Sequence, residues 1–247
     1  MKKVYVEIKN GIPINVDIQN AIDGFEYLGY EPIGFTKEDV YVGKLNLIAL
    51  HNPVVGSIDG MKAIFRDIKK MPDNIDFPSF LFTGNFIDRD LTKMKLNDFI
   101  KKFKQNNEPK FIKPVLTKLF DGALISKLQH LNYLNNFDNP LVWVSDPIHI
   151  ISEYRIYVHN NHMVYSSNYN GDFKVIPDYD YIETLIKNYQ DAPVAYTIDV
   201  GILNNGKTTV IEFNDFWAIG SYGLYCMNYA EMLNDRYTEI INKKFYN

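Results

Sequence analysis

Two acids, Asp199 and Glu212, lie on strand-like runs either side of Asn204-Asn205-Gly206, and Asn214 follows Glu212 at strand spacing. The runs are Tyr196 to Leu203 and Lys207 to Asn214. An Asn-Gly pair between such runs predicts a two-residue type I′ hairpin, because both central residues of that turn take positive φ. With Asn205 and Gly206 as the loop, Leu203 would face Thr208, Gly201 would face Val210, and Asp199 would face Glu212. Side chains alternate along a strand, so Asn214 shares the face of Glu212. Opposed carboxylates repel across a sheet. A hard cation removes that repulsion, and two carboxylates with an amide oxygen suit Mg²⁺. The bland alternative is a solvent-facing hairpin with screened charges.

Cations form the second set. Phe111-Ile-Lys-Pro-Val115 places Lys113 in an apolar run, with Lys118 shortly after. Beside Pro114, which cannot donate to a ladder, Lys113 reads either as a solvated edge residue or as a phosphate ligand. In Ser152 to Val158, alternation puts Glu153, Arg155 and Tyr157 on one face and Tyr154, Ile156 and Val158 on the other. That is either an exposed Arg–Glu pair of little worth or a guanidinium fork aimed at phosphate or carboxylate oxygens.

Other patterns are weaker. Gly201 to Thr208 spells the phosphate-loop pattern G-x-x-x-x-G-K-[ST], which works only where the loop opens a helix. A β-branched run follows Thr208, so this segment reads as a hairpin turn. His51, His130, His149, His159 and His162 show no zinc-ligand spacing. Cys226 is the single cysteine, which excludes an intramolecular disulfide and a cysteine-rich metal site; a buried structural thiol is expected. No G-x-S-x-G elbow or G-x-G-x-x-G loop is present, which argues against a serine hydrolase and a Rossmann dehydrogenase.

These groups need elements to position them. Residues 2–8 alternate as a strand, and Asn15 to Gly29 read as a helix closed by glycine. Strands are expected near Ile33 to Phe35 and Leu45 to Leu50. Asp59 is placed to cap a helix from Gly60 to Lys70, whose Met61, Ile64, Phe65 and Ile68 share one face. This alternation predicts a small α/β domain. Pro72 and Pro78 punctuate the chain, which sets domains of residues 1–85 and 86–247. Further on, helices are predicted at Leu96–Phe103, Lys127–Asn135, Tyr179–Tyr189 and Tyr225–Phe245. Strands are predicted at Lys110–Val115, Leu119–Ser126 and Leu141–Val144. Glu153–Val158 and His162–Asn168 make a hairpin around Asn160-Asn161. Hairpins with intervening helices mean α+β with antiparallel sheets.

The 247 residues suffice for sizeable cores, and 46% hydrophobic with 23% charged is ordinary for a globular protein. Aromatics reach 15%, but a net charge of −4 argues against a general nucleic-acid surface. Glu7 stands where a signal peptide would be apolar, and no run approaches membrane-spanning length, so a cytoplasmic protein is expected.

In chain order, Phe111-Ile-Lys-Pro, Lys118-Leu-Phe-Asp-Gly122, Leu141-Val-Trp-Val-Ser-Asp-Pro147, Glu153-Tyr-Arg155, Asp199 and Ile211-Glu-Phe-Asn214 resemble the ATP-grasp superfamily of carboxylate ligases. The likeness is greatest to its small, divergent, phage-type members. It covers residues 86–247 and implies an ATP-grasp fold, two α+β lobes with antiparallel sheets, behind an N-terminal α/β domain. It also implies ATP and Mg²⁺ as cofactors. Lys113 and Lys118 would contact phosphates. Val142 to Asp146, Val144 included, would receive adenine through the backbone. Asp146 would reach the ribose and Glu153 would stand beside the nucleotide. Arg155 would bind the γ-phosphate or acyl phosphate, and Asp199, Glu212 and Asn214 would hold Mg²⁺. Lys113 and Arg155 would be the catalytic cations. Lys93 and Lys95 compete for the place of an earlier lysine. The implied reaction phosphorylates a small-molecule or peptide carboxylate and then joins it to an amine-type acceptor, with Trp217 to Tyr225 as an acceptor loop. A phosphotransferase on the same scaffold and a non-catalytic nucleotide-binding module are the alternatives.

Overall fold

The computed structural model describes residues 2–84, 86–116 and 118–243. Its first strand, β1 (Lys2–Lys9), alternates and buries Val4 and Val6. A tight hairpin returns as β2 (Ile12–Pro13). Helix α1 (Val16–Tyr27) starts where the Asn15 side chain accepts from the Ile18 amide at 2.9 Å. It crosses over to β3 (Tyr30–Phe35), which pairs parallel to β1. Two short helices, α2 (Lys37–Tyr41) and α3 (Asn46–Ala49), precede β4 (Val54–Val55), parallel to β1 on its other side. The strand expected over Leu45 to Leu50 is therefore the helical turn α3; a short apolar run carries no period that separates the two. Helix α4 (Ile58–Asp67) is capped by Ser57 and not by Asp59. The Ser57 hydroxyl accepts from the Gly60 amide, and the Ser57 amide and hydroxyl both donate to buried Glu7 at 2.6 and 2.7 Å.

After α5 (Phe80–Thr83) comes a four-stranded antiparallel sheet of order β5-β8-β6-β7. It comprises β5 (Leu91–Lys95), β6 (Lys110–Pro114), β7 (Ala123–Ile125) and β8 (Leu141–Ser145). Helices α6 (Leu96–Asn106) and α7 (Leu131–Leu134) cover one face. A second antiparallel sheet has the order β10-β9-β11-β12. Its strands are β9 (Ile150–His159), β10 (His162–Gly171), β11 (Ala195–Leu203) and β12 (Thr208–Asp215). Helix α8 (Tyr179–Asn188) packs Ile182 and Leu185 beneath it, against Ile156, Ile198 and Val200. The last helix, α9 (Cys226–Asn242), joins Tyr229, Ala230 and Leu233 to Val4, Val6 and Phe25, while its Tyr237 and Ile240 pack with Phe65. The expected end of that helix at Phe245 lies outside the described residues. No helix among the described residues is long and apolar enough to cross a membrane.

The type I′ turn expected at Asn205-Gly206 is found instead at the other hairpin. Asn160 and Asn161 carry φ of 50° and 60°, the two positive values a type I′ turn demands. At the second hairpin, the Leu203 amide donates to Lys207 O and Gly206 alone of the loop carries a positive φ, 81°. That is a three-residue loop, so Ile202 pairs with Thr208 and Val200 with Val210, one step from the predicted register. A bulge at Ile211 then absorbs one residue, and Asp199 pairs with Glu212 as expected.

Candidate functional site

Arg155, Asp199 and Glu212 form one row across β9, β11 and β12, since Asp199 is in register with both of the others. Arg155 donates to both oxygens of Asp199, from Nε at 2.8 Å and Nη2 at 2.7 Å. Tyr222 and Tyr169 lie against the guanidinium, with ring centroids 4.8 and 5.6 Å away. The Arg–Glu surface pair does not form. Glu153 accepts instead from the Tyr169 hydroxyl and the Asn170 amide, both at 2.8 Å.

Glu212 faces the other lobe. Lys113 Nζ on β6 stands 3.2 Å from its Oε2, and the Asn214 side-chain amide donates to its Oε1 at 2.8 Å. Strand β6 lies between β8 and β7, but Lys113 is one residue past the β7 ladder and pairs with β8 alone. Pro114 is tolerated because pairing with β7 ends at Ile112, before the proline. The lysine ammonium also sits over the Phe77 ring, 4.7 Å from its centroid. Arg155, Asp199, Glu212 and Lys113 thus form two cation–carboxylate pairs, with the two acids adjacent and a cation at either end.

This electrostatic arrangement shifts the acids in opposite directions. Burial pushes Asp199 up to about 6 even though Arg155 favours its charged form. Burial also raises Glu212, but Lys113, Asn214 and Lys118 outweigh it and hold the carboxyl below its ordinary value. Arg155 is pushed down by burial and carried above its ordinary range by Asp199.

Two cavities meet at Lys113, Asp121, Gly122 and Glu212. One, about 200 Å³, is lined also by Lys118, Asn214 and Phe77. The other, about 690 Å³, runs past Glu153 and Tyr169 to Ser145, Asp146, Pro147 and Ile148. Lys118 has a φ of 63° and so turns the chain into the Asp121-Gly122 segment beside the smaller cavity. Val144 does not open onto either cavity: its side chain is buried beneath α6, and its backbone lies inside the ladder between β5 and β6. Backbone free to read a base begins past Ser145, where the chain leaves the sheet. Asp146 lines the larger cavity and is paired with Lys110 at 2.5 Å. Lys93 is held by Asp76 at 2.9 Å, stacked 4.6 Å from the Trp143 ring, and Lys95 is exposed; neither lines these cavities. The cleft contains a cation that the sequence reading missed, Arg89. It sits in an irregular segment, where no strand or helix period betrays which way a side chain points.

Among the described residues no group of three or more His, Cys, Asp or Glu able to hold a metal assembles. Asp199, Glu212 and Asn214 bring two carboxylates and one amide to the same sheet face, oxygen donors of the kind that a hard divalent ion could use. Asp199 enters that set only when its oxygens are released by Arg155. The Trp217–Tyr225 segment sits on the Arg155 side: Tyr157 donates to Gly220 O and Ser167 donates to Tyr222 O.

A family model described as ATP-grasp domain, R2K clade family 2, matches residues 86–232. Among solved structures, D-alanine–D-alanine ligase from Bacillus anthracis complexed with ATP aligns over all of both chains, with 12% identity and a TM-score of 0.56. The N5-carboxyaminoimidazole synthetase from Staphylococcus aureus aligns over 96% of this chain and 77% of its own, with 11% identity and a TM-score of 0.63. D-cycloserine synthetase DcsG aligns over 95% and 99% respectively, with 11% identity and a TM-score of 0.60. At these identities the likeness is one of fold. No curated protein matches the chain in sequence.

Proposed function

The chain belongs to the ATP-grasp domains of the R2K clade, family 2, and from that premise we propose that it is an ATP- and Mg²⁺-dependent ligase. It activates a small-molecule or peptide carboxylate as an acyl phosphate and transfers the acyl group to an amine-type acceptor. The observation that carries this reading is a pair of adjacent carboxylates flanked by two cations, with Lys113 reaching from one sheet to Glu212 on the other at 3.2 Å. The cations can turn to a triphosphate and the carboxylates to its divalent counter-ion once these pairs open.

In this reading the base lies in the larger cavity against the free backbone of Asp146 to Ile148, and the phosphates run toward Lys113. Lys113 binds phosphate oxygens, with Lys118 and the Gly122 turn beside it. Glu212, Asn214 and, once freed, Asp199 hold Mg²⁺, which spreads the charge of the transferring phosphoryl group. Arg155 steadies the γ-phosphoryl oxygens as a substrate carboxylate oxygen bonds to phosphorus and ADP departs. An amine then attacks the acyl carbon, phosphate leaves, and the amine nitrogen loses a proton. No side chain forms a covalent bond with substrate, which accords with a cleft whose chemistry is positioning and charge. The Gly220–Gly223 segment, held by Tyr157 and Ser167, borders the acceptor site.

Acceptor-dependent ADP release tests the proposal. Glu212→Gln and Lys113→Met should each lower it by about a hundredfold or more, the scale of one lost electrostatic contact to a transition state, with cooperative thermal unfolding retained. Parental rates in both variants would overturn the assignment. A product that gains phosphate but no acceptor would replace ligation with phosphotransfer.

A further inference from the structure

Arg89 is the unexplained charge of the cleft. Its Nη1 donates to Val210 O at 2.7 Å, and this is its one hydrogen bond among the described residues. Among the described residues no carboxylate forms an ion pair with it, although the charge of neighbouring Asp88 favours its protonated form. The adjacent Asp88 is taken by Lys207, the lysine of the decoy phosphate-loop pattern, and its amide is bonded to Thr209. The segment that carries Arg89 is fixed from the other side as well, because Tyr181 donates its hydroxyl to Phe86 O at 2.5 Å. The guanidinium is thereby held in place and half-buried, with its remaining donors open to the cavity. Burial pushes it down to about 10, which still leaves it protonated at neutral pH.

A guanidinium that is half-buried, fixed and without an ion-pair partner among the described residues has donors to spare for an anion in the cavity. Arg89 lines the larger cavity together with Lys113, Ile211 and Glu212, and its backbone anchor at Val210 lies two residues before Glu212. Lys93 and Lys95, the lysines expected to supply a further cation, do not line that cavity. We propose that Arg89 is a nucleotide-binding residue, donating to a phosphate oxygen of the ATP that the preceding reading places in this cleft. It would act there with Lys113 as a second, geometrically fixed cation. A fork suits this place better than an ammonium, because one edge of the guanidinium stays bonded to Val210 O while the other meets the anion.

The proposal rests on nucleotide binding by the cleft, so its test compares ligands with and without phosphate. Binding of ATP, ADP and adenosine to the full chain is measured by calorimetry for the parent and for Arg89→Met and Arg89→Lys. Arg89→Met should weaken ATP and ADP by about tenfold to a hundredfold, the scale of a lost charge-assisted hydrogen bond, and leave adenosine unchanged. Arg89→Lys should recover part of the loss. Equal affinities for ATP in parent and Arg89→Met would overturn the inference, as would an equal loss for adenosine. Failure of the parent itself to bind ATP would instead overturn the functional reading. Should Arg89→Met not fold, the parent provides the same answer: ATP should protect Arg89 from phenylglyoxal, read by peptide mass, and adenosine should not. Modification at equal rates with either ligand would refute the assignment.

Discussion

At the scale of single residues, the site is a set of charges whose partners decide their protonation. Asp199 titrates at 3.8 when unperturbed and is pushed up to about 6 in the fold by burial. An acid raised on folding contributes stability that is fully present below 3.8 and lost as pH rises through about 6, roughly 3 kcal/mol in all. Glu212 goes the other way: held below its reference of 4.5, it contributes stability present above that value and lost as pH falls through its lowered one. Urea unfolding of the parent, Asp199→Asn and Glu212→Gln from pH 3.5 to 7 should separate the two. The stability of the parent relative to Asp199→Asn should fall between pH 4 and 6, whereas relative to Glu212→Gln it should fall as pH drops below about 4.5. A difference for Asp199→Asn that is flat with pH would mean that the Arg155 fork cancels burial in full.

At the scale of elements, the positions that alternation could align were legible in the sequence, and those set by packing were not. Glu212 shares a face with Asn214 because side chains alternate along a strand, and the hairpin set Asp199 opposite Glu212; that Arg155 joins the row depends on the β9–β11 register, which no within-strand period gives. The route to the Asp199–Glu212 pairing was off by one residue at the turn, and the bulge at Ile211 restored it; Asn-Gly announces a hairpin but does not distinguish a two-residue loop from a three-residue one. A proline beside a strand lysine left Lys113 between an edge charge and a phosphate ligand, and the structure puts it just past the β7 ladder, where that open side borders the cleft. Close approach of helices is equally hidden. Gly24 on α1 meets the first turn of α9 so closely that a Cβ there would stand 2.0 Å from Cys226 O and 2.8 Å from the Ala230 Cβ. Backbone cannot move aside as a flexible side chain can. Gly24→Ala should therefore destabilise by about 3 kcal/mol, at the upper end of overpacking costs, measured as a fall in the denaturation midpoint. A variant as stable as the parent would show that the helices separate freely.

For the whole molecule, the question is whether residues 86–247 stand alone, as the composition break near Pro72 and Pro78 implies and as the family match beginning at residue 86 invites. The packing of α9 argues against independence. Its Tyr229, Ala230 and Leu233 share one cluster with β1, α1 and Phe216, and its Tyr237 and Ile240 join the Phe65 cluster, so much of its apolar face is covered by the first seventy or so residues. Its polar side belongs to the site. Arg236 donates to both oxygens of buried Asp215, at 2.8 and 2.6 Å, next to Asn214 at the end of β12. One helix thus ties the N-terminal core to the strand that carries Glu212. Removing residues 1–85 would bare that face, and several buried large side chains at about 1.5–3 kcal/mol each exceed what a domain of this size can lose. The fragment 86–247 should bind a hydrophobic dye, self-associate and lose ATP affinity. The full chain should unfold in one transition that ATP shifts upward. A monomeric fragment with cooperative unfolding and parental ATP affinity would instead establish two independent folding units, with the α9 contacts no more than a docking surface.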